Sequence, residues 1–220
     1  SADVLSAADA KRAAAAFRAA DAGQWKLAHG LAARVGEPLV PSILRWIELT
    51  KDGSDARLAE ISAFLAKHPE WPLRELLLDR AEKAMTDEAP DVDVLAWFDE
   101  REPRTANGMI RLGVALMADG DEDSGRKLLR QAWIAGDFSR HDENAVYRRY
   151  RKLLTHADHV QRLDRLLWEG RFSPARRALW RVNEEHRALG EARLLLATML
   201  GNVDSAIARV PDELKDHPGL

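Results

Sequence analysis

The spacing of apolar residues constrains the fold of this 220-residue chain more than any other feature. Apolar side chains recur at i, i+3, i+4 and i+7, the interval at which residues share one face of a helix. Such stripes occupy 58–65, 160–167, 175–182 and 192–199. No run alternates apolar and polar residues as a half-buried strand would. Because each stripe needs another helix to cover it, the pattern predicts an all-α fold of packed helices.

Helix-terminating and helix-capping residues divide the chain into thirteen predicted helices. The predicted ranges are 6–21, 24–35, 38–50, 55–67, 72–85, 92–99, 105–118, 122–135, 142–154, 157–168, 174–184, 190–200 and 203–209. Ser173-Pro174 predicts an N-cap followed by a first helical residue, and Thr155 with Asp158 predicts a capping box. The short connections favour antiparallel helical hairpins.

A degenerate repeat follows three of the glycines that end predicted helices. In each case a small residue stands five positions after the glycine, where it would let the next helix approach its neighbour closely. The pairs are Gly23 with Ala28, Gly120 with Gly125, and Gly170 with Ala175. The glycines are 97 and then 50 residues apart, so a fixed tetratricopeptide period of about 34 residues is absent. We therefore predict an irregular, tetratricopeptide-like solenoid of antiparallel hairpins over residues 1–220.

Composition excludes several classes of function. The net charge is −3, from 33 basic and 36 acidic residues, so no overall attraction to nucleic acid is expected. The chain contains no cysteine, which excludes disulfides and thiolate chemistry. Its densest apolar stretch, 194–200, is far shorter than the roughly 20 residues that cross a bilayer, so we predict no membrane span.

The segment Phe64-Leu-Ala-Lys-His68-Pro69-Glu-Trp71-Pro72 resembles the FLxxHPxWP segment of the soluble lytic murein transglycosylases. The resemblance is strongest over 154–170, and extends from about Leu5 to Leu220. Further similar segments are 80–82, 97–98, 113–120, 128–133 and 203–211. In that family a superhelix of short hairpins curls into a ring or horseshoe. A lysozyme-like domain at its C-terminal end cleaves the bond between N-acetylmuramic acid and N-acetylglucosamine, giving 1,6-anhydro products.

The resemblance implies that this chain is the superhelical module of such an enzyme. The family's catalytic signature, a Glu-Ser pair followed by a GLMQ-like turn, is missing, and Gly113-Val-Ala-Leu-Met117 lies inside a predicted helix. We therefore expect no catalytic, cofactor or metal residue here, no activity of this chain alone, and an active parent enzyme. The implied partners are peptidoglycan glycan strands and the protein's own catalytic domain, in the periplasm after removal of a signal peptide. The alternative is a free-standing helical adaptor that binds a protein on its concave face.

Four groups of side chains have both a functional and a purely structural interpretation. His156 and His159, with Asp158 between them and His141 upstream, have the spacing of two zinc ligands, but we favour a capped turn. The adjacent acids are Asp99-Glu100, Asp142-Glu143 and Glu184-Glu185, which we interpret as solvated faces rather than glycosidase pairs.

The other two groups are basic and aromatic. The run Arg148-Arg149-Tyr150-Arg151-Lys152, preceded by Tyr147, resembles a single-strand binding segment, but a helix with a basic exterior is favoured. Contact between that basic surface and anionic glycan stems is a weaker functional interpretation. The seven tryptophans are Trp25, Trp46, Trp71, Trp97, Trp133, Trp168 and Trp180. Exposed tryptophans stack on sugars, but we expect at least roughly two thirds of them in the core.

Overall fold

The computed structural model describes residues 5–199 and 201–220, and every regular element in that part of the chain is helical, as predicted. The helices are α1 (Ala7–Asp21), α2 (Trp25–Ala32), α3 (Leu39–Thr50), α4 (Leu58–Lys67), α5 (Arg74–Lys83), α6 (Asp91–Phe98), α7 (Ala106–Asp119), α8 (Glu122–Ala135), α9 (Arg140–Tyr150), α10 (His156–Trp168), α11 (Phe172–Ala178), α12 (Glu184–Thr198) and α13 (Val203–Ala208). Short 3-10 turns follow at Leu179–Arg181 and Asp212–Leu214. The chain forms two compact units, Ser1–Thr86 and Asp87–Leu220.

Small residues allow α1 and α2 to pack closely in the first unit. Ala16 of α1 and Ala28 and Ala32 of α2 are completely buried, and the side chain of Leu44 from α3 joins them in one core. Alanine contributes little volume, so two helices that meet through alanines can approach closely. Ala28 is the small residue predicted to serve this contact.

Polar side chains connect α3 to the helices that follow it. Arg45 Nη2 in α3 donates a hydrogen bond to Glu60 Oε1 in α4 at 2.9 Å. Arg80 Nη1 in α5 donates to the carbonyl oxygen of Leu49 at 2.6 Å. Because the last carbonyls of a helix have no partner within it, this arginine satisfies the C-terminal end of α3.

The second unit contains α6–α13, and α10 is its most widely connected helix. It packs against α8, α11 and α12, and its leucines Leu163, Leu166 and Leu167 are buried with Ala175 of α11. Ala175 is completely buried, as the degenerate repeat predicts. The predicted capping box also forms, since the side chain of Thr155 accepts from the Asp158 N–H and the Asp158 carboxylate accepts from the Thr155 N–H.

The predicted boundaries are wrong between α11 and α12. The expected helix 174–184 ends at Ala178 and passes into a 3-10 turn, and α12 begins at Glu184 rather than at 190. Asn183 explains the early start, because its side-chain oxygen accepts from the His186 N–H and caps the helix. Gly190 lies inside α12, and a Cβ at this position would be 2.6 Å from Leu179 Cδ2. The predicted end at Leu200 falls outside the described residues.

The predicted cap at Ser173-Pro174 is also wrong. Helix α11 begins at Phe172, and its N-cap, Arg171, makes no side-chain capping bond. Pro174 is nevertheless tolerated, because the first turn of a helix leaves its N–H groups without helical partners. Gly170 precedes this start with a φ of 67°, the left-handed conformation expected where α10 ends.

None of the helices in the described part of the chain combines the length and the apolarity needed to cross a bilayer.

Candidate functional site

A surface pocket of about 590 Å³ lies where α9, α11 and the 3-10 turn after α11 meet. We call it the Arg–Trp pocket. Its lining residues are Arg140, Tyr147, Arg176, Arg177, Trp180 and Arg181. Four of the six are arginines and none is acidic, so the pocket presents positive charge beside aromatic rings.

Helical periodicity explains which residues of α9 lie on the side of the pocket. Ser139 caps α9 by accepting from the Asp142 N–H, so the helix begins at Arg140. Glu143 and Tyr147 follow Arg140 at i+3 and i+7 and therefore share its face. That face meets α11, where the pocket forms.

A buried carboxylate lies behind the pocket. Glu143 is only 1% exposed, and its Oε2 accepts from Arg177 Nη2 at 2.7 Å and from Arg177 Nε at 3.1 Å. Its Oε1 forms an ion pair with Arg181 Nη1 at 3.1 Å, and its Oε2 lies 3.8 Å from Arg162 Nη2. We call these four residues the Glu143 cluster. The carboxylate connects α9 to α10, α11 and the 3-10 turn.

Arg162 is the most deeply buried cation of the cluster. Its Nη1 donates to the carbonyl oxygens of Trp133 at 2.5 Å and of Gly136 at 2.8 Å, where α8 ends. Its guanidinium carbon lies 4.6 Å from the centroid of the Trp133 ring, a cation–π contact. Burial lowers the pKa of Arg162 to about 10, because removing the cation from water disfavours its charged form.

The Glu143 cluster contains three guanidinium groups and one carboxylate, an excess of two positive charges. Within the described residues, the cluster contains four buried polar atoms without a hydrogen-bond partner: Arg162 Nε, Arg162 Nη2, Arg181 Nε and Glu143 Oε1. Charges that are partly removed from water interact more strongly than charges in bulk solvent, so the excess positive charge attracts an anion to the pocket that Arg177 and Arg181 line. The electrostatics therefore favour a negatively charged ligand in the adjoining pocket.

The outer wall of the pocket is open to solvent. Arg140 and Arg176 are exposed, and neither side chain forms an ion pair or hydrogen bond within the described ranges 5–199 and 201–220. Trp180 is 76% exposed, and the guanidinium of Arg187 lies 5.0 Å from its ring centroid. A tryptophan face this exposed can stack on a sugar or another flat ring.

Two other surface depressions are larger but less specific. One lies beside Trp25 and is mainly apolar, with Leu27 and Leu31 in its wall. The other lies at the start of α12, where Glu184 and Glu191 oppose its arginines. Neither concentrates unpaired charge of one sign as the Arg–Trp pocket does.

The histidines that were considered as metal ligands form other contacts. His159 Nδ1 accepts from Trp133 Nε1 at 3.2 Å, and His156 Nε2 accepts from the Asn183 N–H at 3.1 Å. Asp158 receives two hydrogen bonds from Arg130, through Nε and Nη2, in addition to its capping bonds. Among residues 5–199 and 201–220, no three histidine or acidic side chains are placed to hold a metal ion.

The partial burial of His159 predicts that the protein is less stable in weak acid. Burial lowers the pKa of His159 from its usual 6.5, and the positive charge of Arg181 lowers it further, whereas Asp158 acts in the opposite direction. The folded protein thus keeps the ring neutral while the unfolded chain takes up a proton near pH 6.5. The stabilisation is complete above about pH 6.5 and is lost as the pH falls from there towards the pKa of the folded state.

Urea unfolding between pH 7.5 and 5 measures this dependence. His159→Gln should reduce the loss of stability over that interval. His186→Gln is the matched comparison, because burial also lowers the pKa of His186, and part of the slope belongs to that residue. An unchanged slope in the His159 variant would contradict the assignment.

The acidic pairs differ in environment. Glu184 and Glu185 are exposed in the first turn of α12, as expected for a solvated face that complements the helix dipole. Asp99-Glu100 is exposed after α6. Glu143 contradicts the prediction, because it is buried against arginines. The signal for its burial was present in the sequence, since Glu143, Tyr147 and Tyr150 share one helical face.

The basic run of α9 and the tryptophans also divide by exposure. Arg148 and Arg149 are exposed on α9, whereas Tyr150 is buried, as expected for a helix with a basic exterior. The helix ends at Tyr150, so the exposed Arg151 and Lys152 lie in the turn that follows it. Fewer tryptophans lie in the core than predicted. Trp97 and Trp133 are buried, Trp25, Trp46 and Trp71 are half-buried, and Trp168 and Trp180 are exposed.

Comparison with known proteins adds no relative to this description. No protein-family model, curated protein or solved structure matches the chain.

Proposed function

We propose that the chain is the accessory superhelical module of a periplasmic peptidoglycan lytic transglycosylase. In this proposal its hairpins form a curved solenoid that supports or positions a lysozyme-like domain, which cleaves the glycan to 1,6-anhydro products. The motif resemblance from 64–72 to 203–211 and the entirely helical secondary structure of the described residues support the proposal.

The Arg–Trp pocket is the observation that carries the binding part of the proposal. Peptidoglycan presents sugar rings together with the carboxylates of its peptide stems. The exposed ring of Trp180 can stack on a sugar ring, and the unpaired guanidinium groups of Arg140 and Arg176 can bind the carboxylates. The pocket is therefore equipped to hold an anionic glycan.

The same pocket is poorly equipped for chemistry. Glycoside cleavage requires a carboxylic acid that can protonate the leaving oxygen. No carboxyl group lines the Arg–Trp pocket, and the carboxylate of Glu143 forms ion pairs with Arg177 and Arg181, which do line it. We therefore assign glycan binding to these residues and bond cleavage to a domain outside them.

Sedimentation with purified peptidoglycan sacculi tests both parts of the proposal. The 220-residue chain should pellet with sacculi, remain soluble with insoluble cellulose as the neutral control, and release no anhydro-muropeptides. Release of those products by this chain alone would contradict the division of roles. A chain that remains in the supernatant with sacculi would instead favour the helical adaptor, whose ligand is a protein.

A further inference from the structure

We propose that the Arg–Trp pocket recognises the peptide-stem carboxylates of a muropeptide while its attached sugar ring lies against Trp180. This inference rests on the proposed function and goes beyond it, because it assigns the ligand chemistry to particular side chains. It predicts that the module distinguishes glycan that carries peptide stems from bare glycan.

The two exposed arginines supply the direct carboxylate contacts. Arg140 begins α9 and Arg176 lies in the last turn of α11, so they reach the pocket from different helices. A guanidinium group can offer two parallel N–H donors to one carboxylate. Because neither arginine is engaged by another described residue, a ligand would not need to break an existing ion pair.

Glu143 acts as a positioning residue for the inner wall. Its Oε2 accepts hydrogen bonds from Nε and Nη2 of Arg177, and its Oε1 lies 3.1 Å from Nη1 of Arg181. Arg177 Nη1 and Arg181 Nη2 donate no hydrogen bond to another described residue, and the Arg181 guanidinium carbon also lies 4.6 Å from the centroid of the Tyr147 ring. A ligand carboxylate that enters the pocket would therefore meet donors whose orientation is already fixed, which lowers the entropy cost of binding.

Trp180 provides the contact that an inorganic anion cannot use. Its ring is exposed at the pocket wall, and Arg187 contacts the ring at 5.0 Å. Stacking requires a ligand with a flat or apolar ring face beside its negative charge. A saccharide that carries carboxylates meets both requirements, which is why we prefer it to a free anion.

Calorimetric titration of the whole chain with a disaccharide-peptide muropeptide tests the inference. The same muropeptide with its carboxyl groups amidated should bind about tenfold or more weakly, as should a neutral N-acetylglucosamine oligomer. Arg140→Gln and Arg176→Gln should each weaken binding of the unmodified muropeptide by about tenfold. Both residues are exposed and unpaired, so these variants should fold normally.

Arg148→Gln is the matched control, because Arg148 is exposed on α9 with the same charge but does not line the pocket. It should change the affinity by less than about twofold. Trp180→Ala should weaken binding of the muropeptide more than binding of the free stem peptide, which has no sugar ring. Equal losses for both ligands would overturn the stacking contact.

The outcomes separate this inference from the proposed function. Equal affinity for free and amidated muropeptide, or no effect of Arg140→Gln and Arg176→Gln, overturns the inference even when the chain still sediments with sacculi. Absence of muropeptide binding also overturns it. Tighter binding of a sugar phosphate than of the muropeptide overturns the assignment to carboxylates. Failure of wild-type sedimentation, by contrast, counts against the proposed function.

Discussion

Glu143→Gln should lower the free energy of unfolding by about 3–5 kcal/mol, the cost typical of removing one partner from a buried ion pair. The substitution keeps the shape of the side chain but removes its charge. It would leave the guanidinium groups of Arg162, Arg177 and Arg181 without a carboxylate, and Arg162 is only 1% exposed. Chemical denaturation followed by far-UV circular dichroism measures the change.

Glu184→Gln is the matched control, because Glu184 is exposed in the first turn of α12. Removing the negative charge of Glu184 should lower the free energy of unfolding by less than about 1 kcal/mol. A double variant, Glu143→Leu with Arg162→Met, should be less destabilised than Glu143→Leu alone, because it removes a buried positive charge together with its partner. A Glu143→Gln protein within about 1 kcal/mol of wild type would show that water solvates the cluster.

Glu143 shows how much of the candidate site could be predicted from the sequence. Glu143, Tyr147 and Tyr150 lie on one helical face, so helical periodicity alone could have placed the carboxylate inward. Its partners could not have been found in this way. Arg162, Arg177 and Arg181 come from three other elements, and they meet Glu143 only because α10 and α11 pack beside α9.

The fold was more predictable than the site, and its failures have local causes. Apolar stripes together with helix-capping and helix-ending residues predicted thirteen helices, and the described residues contain thirteen α-helices. The error near α11 is a helix start predicted at residue 190, six residues after the observed start at Glu184. Gly190 instead serves tertiary packing against Leu179 and Leu163, which no local propensity reveals. Asn183, the capping residue immediately before α12, was the correct local signal.

The exposure of Trp180 follows from the local geometry of the chain between α11 and α12. It lies in the 3-10 turn between α11 and α12, and the next residue in that turn, Arg181, points its charge towards Glu143. A continuous helix through 174–184 would have changed the faces that these side chains occupy. The predicted boundary therefore concealed the residue that contributes the flat surface of the Arg–Trp pocket.

Gly125→Val should destabilise the protein by about 3 kcal/mol or more, because α7 and α8 cross at two glycines. A Cβ at Gly125 would lie 2.5 Å from the Gly113 carbonyl oxygen and 3.2 Å from the Met117 nitrogen. Both are backbone atoms, so no side-chain rotation relieves the clash and the helices must separate. Thermal and urea unfolding should both report the loss.

Gly30→Ala is the control for glycine replacement in a helix. Gly30 lies within α2, and a Cβ there meets no atom within 4 Å, so alanine should raise the stability by about 0.5–1 kcal/mol. Unchanged stability of Gly125→Val would contradict close packing at the α7–α8 crossing. A large loss, by contrast, would extend to ligand binding, because α8 carries Trp133, whose ring and carbonyl oxygen contact Arg162 of the Glu143 cluster.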